Sequence, residues 1–307
     1  WRVLNPNASY GSLSIDGQGK WTFSLHPNSA SVNALSEGQV IQQTFRVEVR
    51  DQHGERTIKQ VVIDVEGTND LPTIRGQNTG SVTEDLIGQT SGSLTAVDVD
   101  ALDTHTWEVV GSQQGRFGGL TIDPNNGKWT FVLDHNSLDT KALGHGQKTT
   151  ESFIVEVDDG HGGKAQQIIT VEIIGNNTAP NIGGVSSGFL KEDVQSQVSG
   201  KLTHGDPDIG DTHTWSLVGT AKGSYGSLSL GPDGQWTYKV DGRIDQLREG
   251  QAKTETFTIM VTDSYGHSSQ QTVTVNLEGT NDVPNIGGVQ AASTVEDAQN
   301  PVGGRLQ

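Results

Sequence analysis

The tripeptide Trp129-Thr130-Phe131 recurs almost unchanged along this chain, as Trp21-Thr22-Phe23 before it and Trp236-Thr237-Tyr238 after it. The three tryptophans lie 108 and 107 residues apart, and nearly the same interval, between 104 and 108 residues, separates three further sets of residues: Leu13, Leu120 and Leu228; Phe45, Phe153 and Phe257; Asp51, Asp159 and Asp263. A period of about 100 residues is the size of one β-sandwich domain and exceeds the 20–50 residues of a solenoid repeat. A whole domain copied end to end serves to span distance or to present equivalent sites, which argues against an enzyme with one catalytic pocket.

The composition is acidic and free of cysteine. Among 307 residues, 37 are Asp or Glu and 20 are Lys or Arg, so the formal net charge is -17. This charge repels nucleic acid and anionic membranes and suits cation binding or solubility. The absence of Cys excludes disulfides and thiolate metal sites. No apolar run approaches the roughly 20 residues of a membrane span, so we expect no membrane insertion. Because of the negative charge, we also expect no nucleic-acid partner.

The repeat pattern predicts domain boundaries and an interior position in a longer protein. Trp1 aligns with Trp107 and Trp215, in the middle of a repeat, whereas Gly304-Arg305-Leu306 aligns with Gly92-Ser93-Leu94, near the start of one. We therefore expect a partial repeat at 1–70 without its opening strands, complete repeats at 71–176 and 177–282, and the opening strands of a fourth repeat at 283–307. Either the chain is a window from a longer protein, or the tail of one molecule docks on the head of another.

The second repeat shows the pattern of an all-β domain. Residues 153–157 alternate strictly, with Phe153, Val155 and Val157 on one face, and Asp123-Pro124-Asn125-Asn126-Gly127 is typical of a hairpin loop. About seven strands, spaced 8–15 residues apart, with no helical periodicity, predict an Ig-like sandwich. The recurring Trp107, Trp129 and Phe153 fit core packing better than a sugar-stacking platform.

Two loops concentrate carboxylates in a way that turn chemistry explains poorly. Each contains Asp-x-Asp-x-x-Asp followed by Thr-His-Thr-Trp, first at Asp98, Asp100 and Asp103 and again at Asp206, Asp208 and Asp211. Three carboxylates within six residues repel one another unless a cation lies among them, and Ca²⁺ accepts 6–8 oxygen ligands from flexible loops. The alternative, which stays open, is that these acids form solvated turns. His105 and His213 follow the clusters, but one His among hard oxygen ligands is poor zinc chemistry, so a hydrogen-bonding role is expected.

Further acids and amides recur at the repeat boundaries. The turn Asp159-x-x-Gly162 has counterparts at Asp51 and Asp263, and the linker Gly67-Thr68-Asn69-Asp70-Leu71-Pro72 is matched by Gly279-Thr280-Asn281-Asp282-Val283-Pro284. In the linker of residues 175–180, Asn177 is interpreted as standing where Asp70 and Asp282 stand, which predicts a weaker calcium site there.

These residues also carry a resemblance to a family. Residues 35–72, including Leu35-Ser36-Glu37-Gly38 and Gly67-Thr68-Asn69-Asp70, resemble a cadherin-type repeat. More closely, Gly-x-Leu, Asp-Gly-x-Trp-Thr-Phe/Tyr and Gly-Thr-Asn-Asp-x-Pro are similar to the VCBS-type repeats of giant bacterial RTX adhesins. The resemblance covers essentially the whole chain. It implies tandem Ig-like sandwiches in a linear array, with Ca²⁺ bound at the junctions.

The resemblance also implies ligands at each junction. At the first junction it implies Asn69, Asp70, Asp98, Asp100 and Asp159, with Glu37 from the preceding domain. At the next it implies Asn176, Asn177, Asp206, Asp208 and Asp263, with Glu84 or Asp85 reaching across, whereas Gly144-His145-Gly146 holds no carboxylate where Glu37 and Glu249 stand. The full candidate metal set is Glu37, Asn69, Asp70, Glu84, Asp85, Asp98, Asp100, Asp103, Asp159, Asn176, Asn177, Glu192, Asp193, Asp206, Asp208, Asp211, Glu249, Asp263, Asn281 and Asp282.

Three functions are compatible with this pattern to different degrees. The favoured one is a calcium-rigidified extender of a bacterial cell-surface or biofilm adhesin, extracellular, whose partners are neighbouring repeats of the same chain and, through other domains, a host or biofilm ligand. In the second, the repeats themselves bind carbohydrate or self-associate, either between cells or as filaments. An enzyme, such as a glycoside hydrolase with two carboxylates, is disfavoured because the acids recur in each repeat.

Overall fold

The computed structural model describes residues 1–284, 286–288, 291–296 and 299–306. The fold is all-β, with tandem Ig-like sandwich domains, as predicted. The chain divides into two compact units, Trp1–Asn176 and Asn177–Gln307. None of the helices found in the described residues has both the length and the apolarity needed to cross a bilayer.

The first repeat contains five strands and one short helix. The elements are β1 (Arg2–Val3), β2 (Gly11–Ile15), β3 (Trp21–Leu25), α1 (Ala30–Asn33), β4 (Val40–Arg50) and β5 (Arg56–Glu66). The order of the three-stranded sheet is β1-β4-β5, and β2 pairs with β3 in a separate hairpin. A small core forms where Leu13, Phe45 and Val47 of the two sheets meet.

The second repeat is a complete sandwich in the first unit. Its elements are β6 (Thr73–Gly76), β7 (Thr79–Thr83), β8 (Gln89–Val97), β9 (Thr106–Val110), β10 (Gly118–Ile122), β11 (Lys128–Leu133), α2 (Leu138–Lys141), β12 (Lys148–Asp158) and β13 (Lys164–Ile174). The two four-stranded sheets have the orders β10-β11-β8-β6 and β7-β13-β12-β9. Only β7 and β13 pair in parallel; the other pairs described in this repeat are antiparallel.

Alternation along the strands creates the core of the second repeat. Phe153, Val155 and Val157 face inward and are buried, whereas Ile154, between them, is exposed. Trp129 is fully buried, and its Nε1 donates a hydrogen bond to the Gln77 carbonyl at 2.7 Å. The indole lies so close to β8 that a Cβ on Gly92 would come within 2.6 Å of it, which explains the glycine of the Gly-x-Leu motif.

The third repeat, in the second unit, has the same architecture. Its elements are β14 (Asn181–Gly184), β15 (Ser187–Lys191), β16 (Gln197–Gly205), β17 (Thr214–Val218), β18 (Gly226–Leu230), β19 (Gln235–Val240), a 3₁₀ turn (Ile244–Gln246), β20 (Ala252–Thr262) and β21 (Ser268–Glu278). The sheet orders are β14-β16-β19-β18 and β15-β21-β20-β17. Trp236 and Tyr238 take the buried positions of Trp129 and Phe131.

Three details differ from the sequence-based expectation. The second repeat has eight strands rather than about seven, because the opening stretch splits into β6 and β7, and short helical turns such as α2 follow the Trp strand. Core packing is confirmed for Trp107, Trp129 and Phe153, but Trp21 is 47% exposed. Trp21 is exposed because residues 1–70 contain no counterparts of β6, β7 and β8, the strands that cover Trp129.

The proposed fourth repeat is only partly described. Gly288 and Leu306 form an isolated antiparallel bridge, which matches the pairing of Gly76 with Leu94 at the start of the second repeat. Of the segment 283–307, residues 285, 289, 290, 297, 298 and 307 lie outside the described residues, so the predicted match of Gln307 to Thr95 does too. The domain boundaries remain predictions.

Candidate metal sites

The first acidic cluster lies in the loop between β8 and β9. The carboxylates of Asp98, Asp100 and Asp103 approach one another so that one oxygen from each lies within 4.8 Å of the others. Asp98 Oδ1 accepts the Asp100 backbone N–H at 3.1 Å, and Asp100 Oδ2 accepts the N–H of Asp70 at 2.7 Å. Backbone hydrogen bonds thus hold two of the three acids against their mutual repulsion.

Several oxygens of this cluster are buried without a hydrogen bond. Within the described part of the chain, Asp98 Oδ2, Asp100 Oδ1 and both oxygens of Asp103 lack a hydrogen-bond partner. Buried acceptors are nearly always satisfied, and an unpaired buried charge is costly. No lysine or arginine among the described residues forms an ion pair with these three aspartates. A divalent cation with several oxygen ligands would satisfy them, so the residues fit Ca²⁺.

The linker contributes amide and backbone groups to the same place. Asn69 Nδ2 donates to Asp159 Oδ2 at 2.9 Å, which leaves Asn69 Oδ1 buried and unpartnered among the described residues. The Asn69 backbone N–H donates to Glu37 Oε2 of the first repeat at 2.8 Å. The structure therefore brings the predicted Glu37, Asn69, Asp70 and Asp159 to the neighbourhood of the Asp98 loop. The cluster joins the first and second repeats within one compact unit.

The pKa values of Asp159 and Asp100 are shifted in opposite directions. Burial alone would raise the pKa of Asp159, but hydrogen bonds from Asn69, His161 and Gly163 outweigh it and lower the pKa. For Asp100, burial raises the pKa, the Asp70 N–H opposes this, and the nearby acids Asp103, Asp70 and Asp98 add to the rise. Asp100 is thus a carboxylate whose charge the bare protein disfavours, as expected where a bound cation normally compensates it.

A second cluster of the same design lies in the other compact unit. One oxygen each of Asp206, Asp208 and Asp211 lies within 4.8 Å of the others. Asp208 Oδ2 accepts the Thr178 N–H at 2.7 Å, while Asp208 Oδ1 and Asp211 Oδ2 are buried with no partner in the described chain. Asn177 Nδ2 donates to Asp263 Oδ2 at 2.8 Å, and Asn177 Oδ1 is left buried and unpartnered in the same way. Burial also raises the pKa of Asp208.

The hydrogen bonds correct one sequence interpretation. Asn177 donates to Asp263 as Asn69 donates to Asp159, and the Thr178 N–H bonds to Asp208 as the Asp70 N–H bonds to Asp100. Asn177 is therefore the counterpart of Asn69, and the prediction that it replaces the acid of Asp70 and Asp282 was wrong. The residue that replaces the acid is Thr178. The misassignment arose because two asparagines stand side by side in this linker.

The two histidines after the clusters differ in their contacts. His213 Nε2 lies 2.8 Å from Asp206 Oδ2 in a hydrogen bond, as predicted. His105 Nε2 lies 3.7 Å from Asp98 Oδ2, beyond hydrogen-bond distance. His213 also packs against His204, with ring centroids 4.0 Å apart. Asp206 is therefore partly satisfied by protein, whereas Asp98 Oδ2 is not.

A third acidic group closes the far end of the third repeat. Glu192 Oε2 accepts the Thr280 N–H at 2.7 Å, and Asp193 Oδ2 accepts the Thr280 hydroxyl at 3.0 Å. Burial raises the pKa of Glu192, the Thr280 N–H opposes this, and Asp282 adds to the rise. In the second repeat, Glu84 Oε2 accepts the Asn176 N–H at 3.2 Å in the same arrangement.

The remaining predicted metal ligands are exposed on the surface. Asp85 is exposed, with a left-handed φ of 56°, and its carboxylate lies 3.6 Å from His135 of its own repeat. Glu249, Asn281 and Asp282 are all exposed.

Sequence reasoning missed two contacts of the first cluster. Ser36 is buried, and its Oγ accepts the Leu102 N–H at 3.2 Å, which ties the first repeat to the aspartate loop. His161 Nδ1 lies 3.1 Å from Asp103 Oδ1. The Ser36-Glu37 pair was a usable signal, because serine directly precedes the predicted ligand, but nothing in the sequence spacing points to His161.

The chain belongs to the bacterial cadherin-like domain family. The family's sequence profile matches residues 69–175 and 177–279, more than half of the chain. These two ranges coincide closely with the complete sandwiches described above.

Individual relatives are more distant. A protein of Rhizobium johnstonii described as the calcium-binding lectin RapA2 is 26% identical over an alignment of 194 residues that covers 54% of this chain and 74% of that protein. The extracellular cadherin domains 1–4 of PcdhgB3 match with a TM-score of 0.51 at 16% identity, over 89% of this chain and 65% of that one. Domains 1–5 of protocadherin gamma B2 match with a TM-score of 0.50 at 17% identity, over 93% and 54%. The chain spans less than two thirds of either protocadherin structure, and at these identities the likeness shows the fold alone.

Proposed function

We propose that the chain is an extender segment of a bacterial cell-surface adhesin, in which Ca²⁺ bound at the acidic clusters stiffens the joints between cadherin-like domains. The observation that carries this proposal is the set of buried oxygens without partners around Asp103, placed where the first repeat, its linker and the second repeat meet. Membership of the bacterial cadherin-like family supports it, as does the similarity to a protein described as a calcium-binding lectin.

Ca²⁺ would supply the positive charge and oxygen coordination that the clusters lack. Asp98, Asp100 and Asp103 would bind it with the Asn69 amide oxygen, while Asp159 holds that amide in orientation through its Nδ2. The Asp70 N–H and Ser36 Oγ fix the loop against the linker and the first repeat. Because binding requires the folded arrangement of separate segments, its free energy is available to order the joint.

Repetition of this design suits a spacer. A flexible linker would let a string of domains collapse, whereas an ion-bound joint holds its angle. The acids recur in each complete repeat, which supports a non-enzymatic role and an extracellular location, where Ca²⁺ is plentiful. The finer assignment to VCBS-type repeats of RTX adhesins rests on the Gly-Thr-Asn-Asp-x-Pro and Trp-Thr-aromatic motifs.

Calcium titration and scattering together test the proposal. Calorimetry on the 307-residue chain should show calcium binding that Asp103→Asn weakens at least tenfold, with Asp123→Asn, a turn aspartate that belongs to neither cluster, as the matched control. Small-angle scattering should show a narrower distribution of conformations in calcium than in EGTA. Absence of calorimetric binding, or scattering unaffected by EGTA, would contradict the extender role.

A second function is favoured by one observation. The similar Rhizobium johnstonii protein is described as a lectin, so the repeats themselves could bind carbohydrate. A glycan array with the wild type separates the two functions, since a spacer gives no signal on any glycan.

A further inference from the structure

We propose that His161, together with Asp103 and Asp159, forms a binding site for a transition-metal ion of the Zn²⁺ type beside the calcium set. One ligand atom from each of the three side chains lies within 4.8 Å of the other two. The three come from the loop after β8 and the turn between β12 and β13, which meet at the same end of the sandwich.

Asp103 is the strongest sign of a missing ligand. Its side chain has no exposed surface, and neither of its oxygens makes a hydrogen bond with any described residue. A buried carboxylate with two unsatisfied oxygens is costly unless a cation faces it. Asp103 belongs both to the group with Asp98 and Asp100 and to the group with Asp159 and His161, so its two oxygens can serve two neighbouring ions, one on the side of Asp98 and one on the side of His161.

The distance between His161 and Asp103 fits two ligands of one ion. Nδ1 of His161 lies 3.1 Å from Oδ1 of Asp103 without hydrogen-bond geometry. Ligand atoms bonded at about 2.0–2.2 Å to one tetrahedral zinc lie about 3.3–3.6 Å apart, so the two side chains need to separate by only a few tenths of an ångström to bind it. The same distance also suits an imidazolium–carboxylate ion pair, which is the alternative that the experiment has to separate.

The turn that carries His161 is well fixed. The His161 backbone N–H donates to Asp159 Oδ1 at 2.8 Å, and Gly160 and Gly162 on either side adopt left-handed φ values of 88° and 100°. The imidazole is 37% exposed, so an ion and its remaining water ligands have access from solvent.

The donor set discriminates between metals. An imidazole nitrogen is a good ligand for Zn²⁺, whereas Ca²⁺ takes oxygen ligands. In the third repeat, Tyr265 stands at the position of His161, two residues after Asp263, so that repeat offers the carboxylates without the nitrogen. In the first repeat, His53 stands at this position, but residues 1–70 contain no Asp-x-Asp-x-x-Asp loop. His53 in the first repeat therefore serves as a matched negative control. Tyr265 in the third repeat offers a position at which a histidine can be tested for gain of zinc binding.

The experiment is a calorimetric titration of the calcium-free 307-residue chain with Zn²⁺, for the wild type and three variants. We expect His161→Tyr to bind one equivalent fewer than the wild type, or to bind it at least tenfold more weakly, and His53→Tyr to match the wild type. Tyr265→His, which places an imidazole beside Asp211 and Asp263, should gain one equivalent. Nitrogen NMR of the His161 ring in the wild type should show direct metal coordination at Nδ1.

The outcomes are distinct from those of the calcium proposal. Equal zinc binding by the wild type and His161→Tyr, with the His161 ring nitrogens unshifted by zinc, would overturn the site and leave His161 as an ion-pair partner of Asp103. The ring-nitrogen measurement on the wild type decides the question even if a variant fails to fold. Calcium titration of His161→Tyr should still show binding, because the calcium set does not require the imidazole, so loss of zinc binding alone identifies the nitrogen site.

Discussion

The loops at Asp98–Asp103 and Asp206–Asp211 share a backbone frame and differ in the charges placed on it. In both, a linker N–H bonds to the middle aspartate and a linker asparagine bonds to a distant turn aspartate. The first adds the acid Asp70 and the imidazole of His161, where the second has Thr178 and Tyr265. In the second loop, His213 forms a hydrogen bond with one carboxylate oxygen of Asp206. Backbone hydrogen bonds thus shape these sites, whereas side chains at a few positions set their charge and ligand type.

The largest expected effect comes from removing calcium from both clusters. An ion present at 100 times its dissociation constant stabilises the folded state by about 2.7 kcal/mol for each site. Since about 1 kcal/mol shifts the melting temperature of a 60–100-residue domain by roughly 4–8 °C, we expect EGTA to lower the melting temperature by about 10 °C or more. Differential scanning calorimetry should show the larger shift for the first unit. Superimposable melts with and without EGTA would exclude calcium at both clusters.

Substitution of the middle aspartate should change stability in opposite directions with and without calcium. In calcium, Asp100→Asn removes a charged ligand, and we expect affinity to fall at least tenfold, or about 1.4 kcal/mol. In EGTA, the same change removes a buried, repelled charge and keeps an oxygen to accept the Asp70 N–H, so stability should rise by on the order of 1 kcal/mol. Urea unfolding in the two buffers measures both. Asp208→Asn is the matched variant, and destabilisation of either variant in EGTA contradicts the repulsion argument.

The pH dependence should also reverse with calcium. The pKa values of Asp100, Asp208 and Glu192 are raised by burial above ordinary values of 3.8, 3.8 and 4.5. Between the unfolded and the raised folded pKa, the folded state binds more protons, so its stability falls as pH rises. Calcium-free protein should therefore become more stable as the pH is lowered through the raised pKa values of these groups, whereas calcium-loaded protein should become less stable as protons compete with the ion. Parallel pH profiles in the two buffers would show that these carboxylates do not bind calcium.

The smallest effect should come from equalising the linkers. Thr178→Asp restores the acid found at Asp70, and we expect it to raise calcium affinity of the second cluster by about three- to tenfold, because ligand charge tunes affinity. The reverse change, Asp70→Thr, should lower affinity at the first cluster by a similar factor. Asn177→Asp is the control: it removes the Nδ2 donor to Asp263 and places two carboxylates together, so it should lower calcium-free stability. If only Asn177→Asp raised the calcium affinity, Asn177 rather than Thr178 would be the position equivalent to Asp70.

Much of the architecture could be predicted from local pattern. The alternation at Phe153, Val155 and Val157 reports a short stretch of backbone and was confirmed, and the period of about 107 residues predicted the tandem sandwich domains. The reason for the glycine of Gly-x-Leu, the indole packed against it, came from the structure. The aspartate loops were also visible, because three acids within six residues are a local anomaly. The linker register was open to sequence analysis as well, since Thr178 and Asp70 each stand two residues before proline.

Contacts between distant segments depended on the tertiary structure. Ser36 meets Leu102 across 66 residues, and His161 meets Asp103 across 58, because loops from different strands converge at one end of a sandwich. Likewise, Trp21 and Trp129 share a motif, yet one is 47% exposed and the other fully buried. A motif specifies which face a side chain takes on its strand, whereas burial and partners depend on which other strands pack over that face.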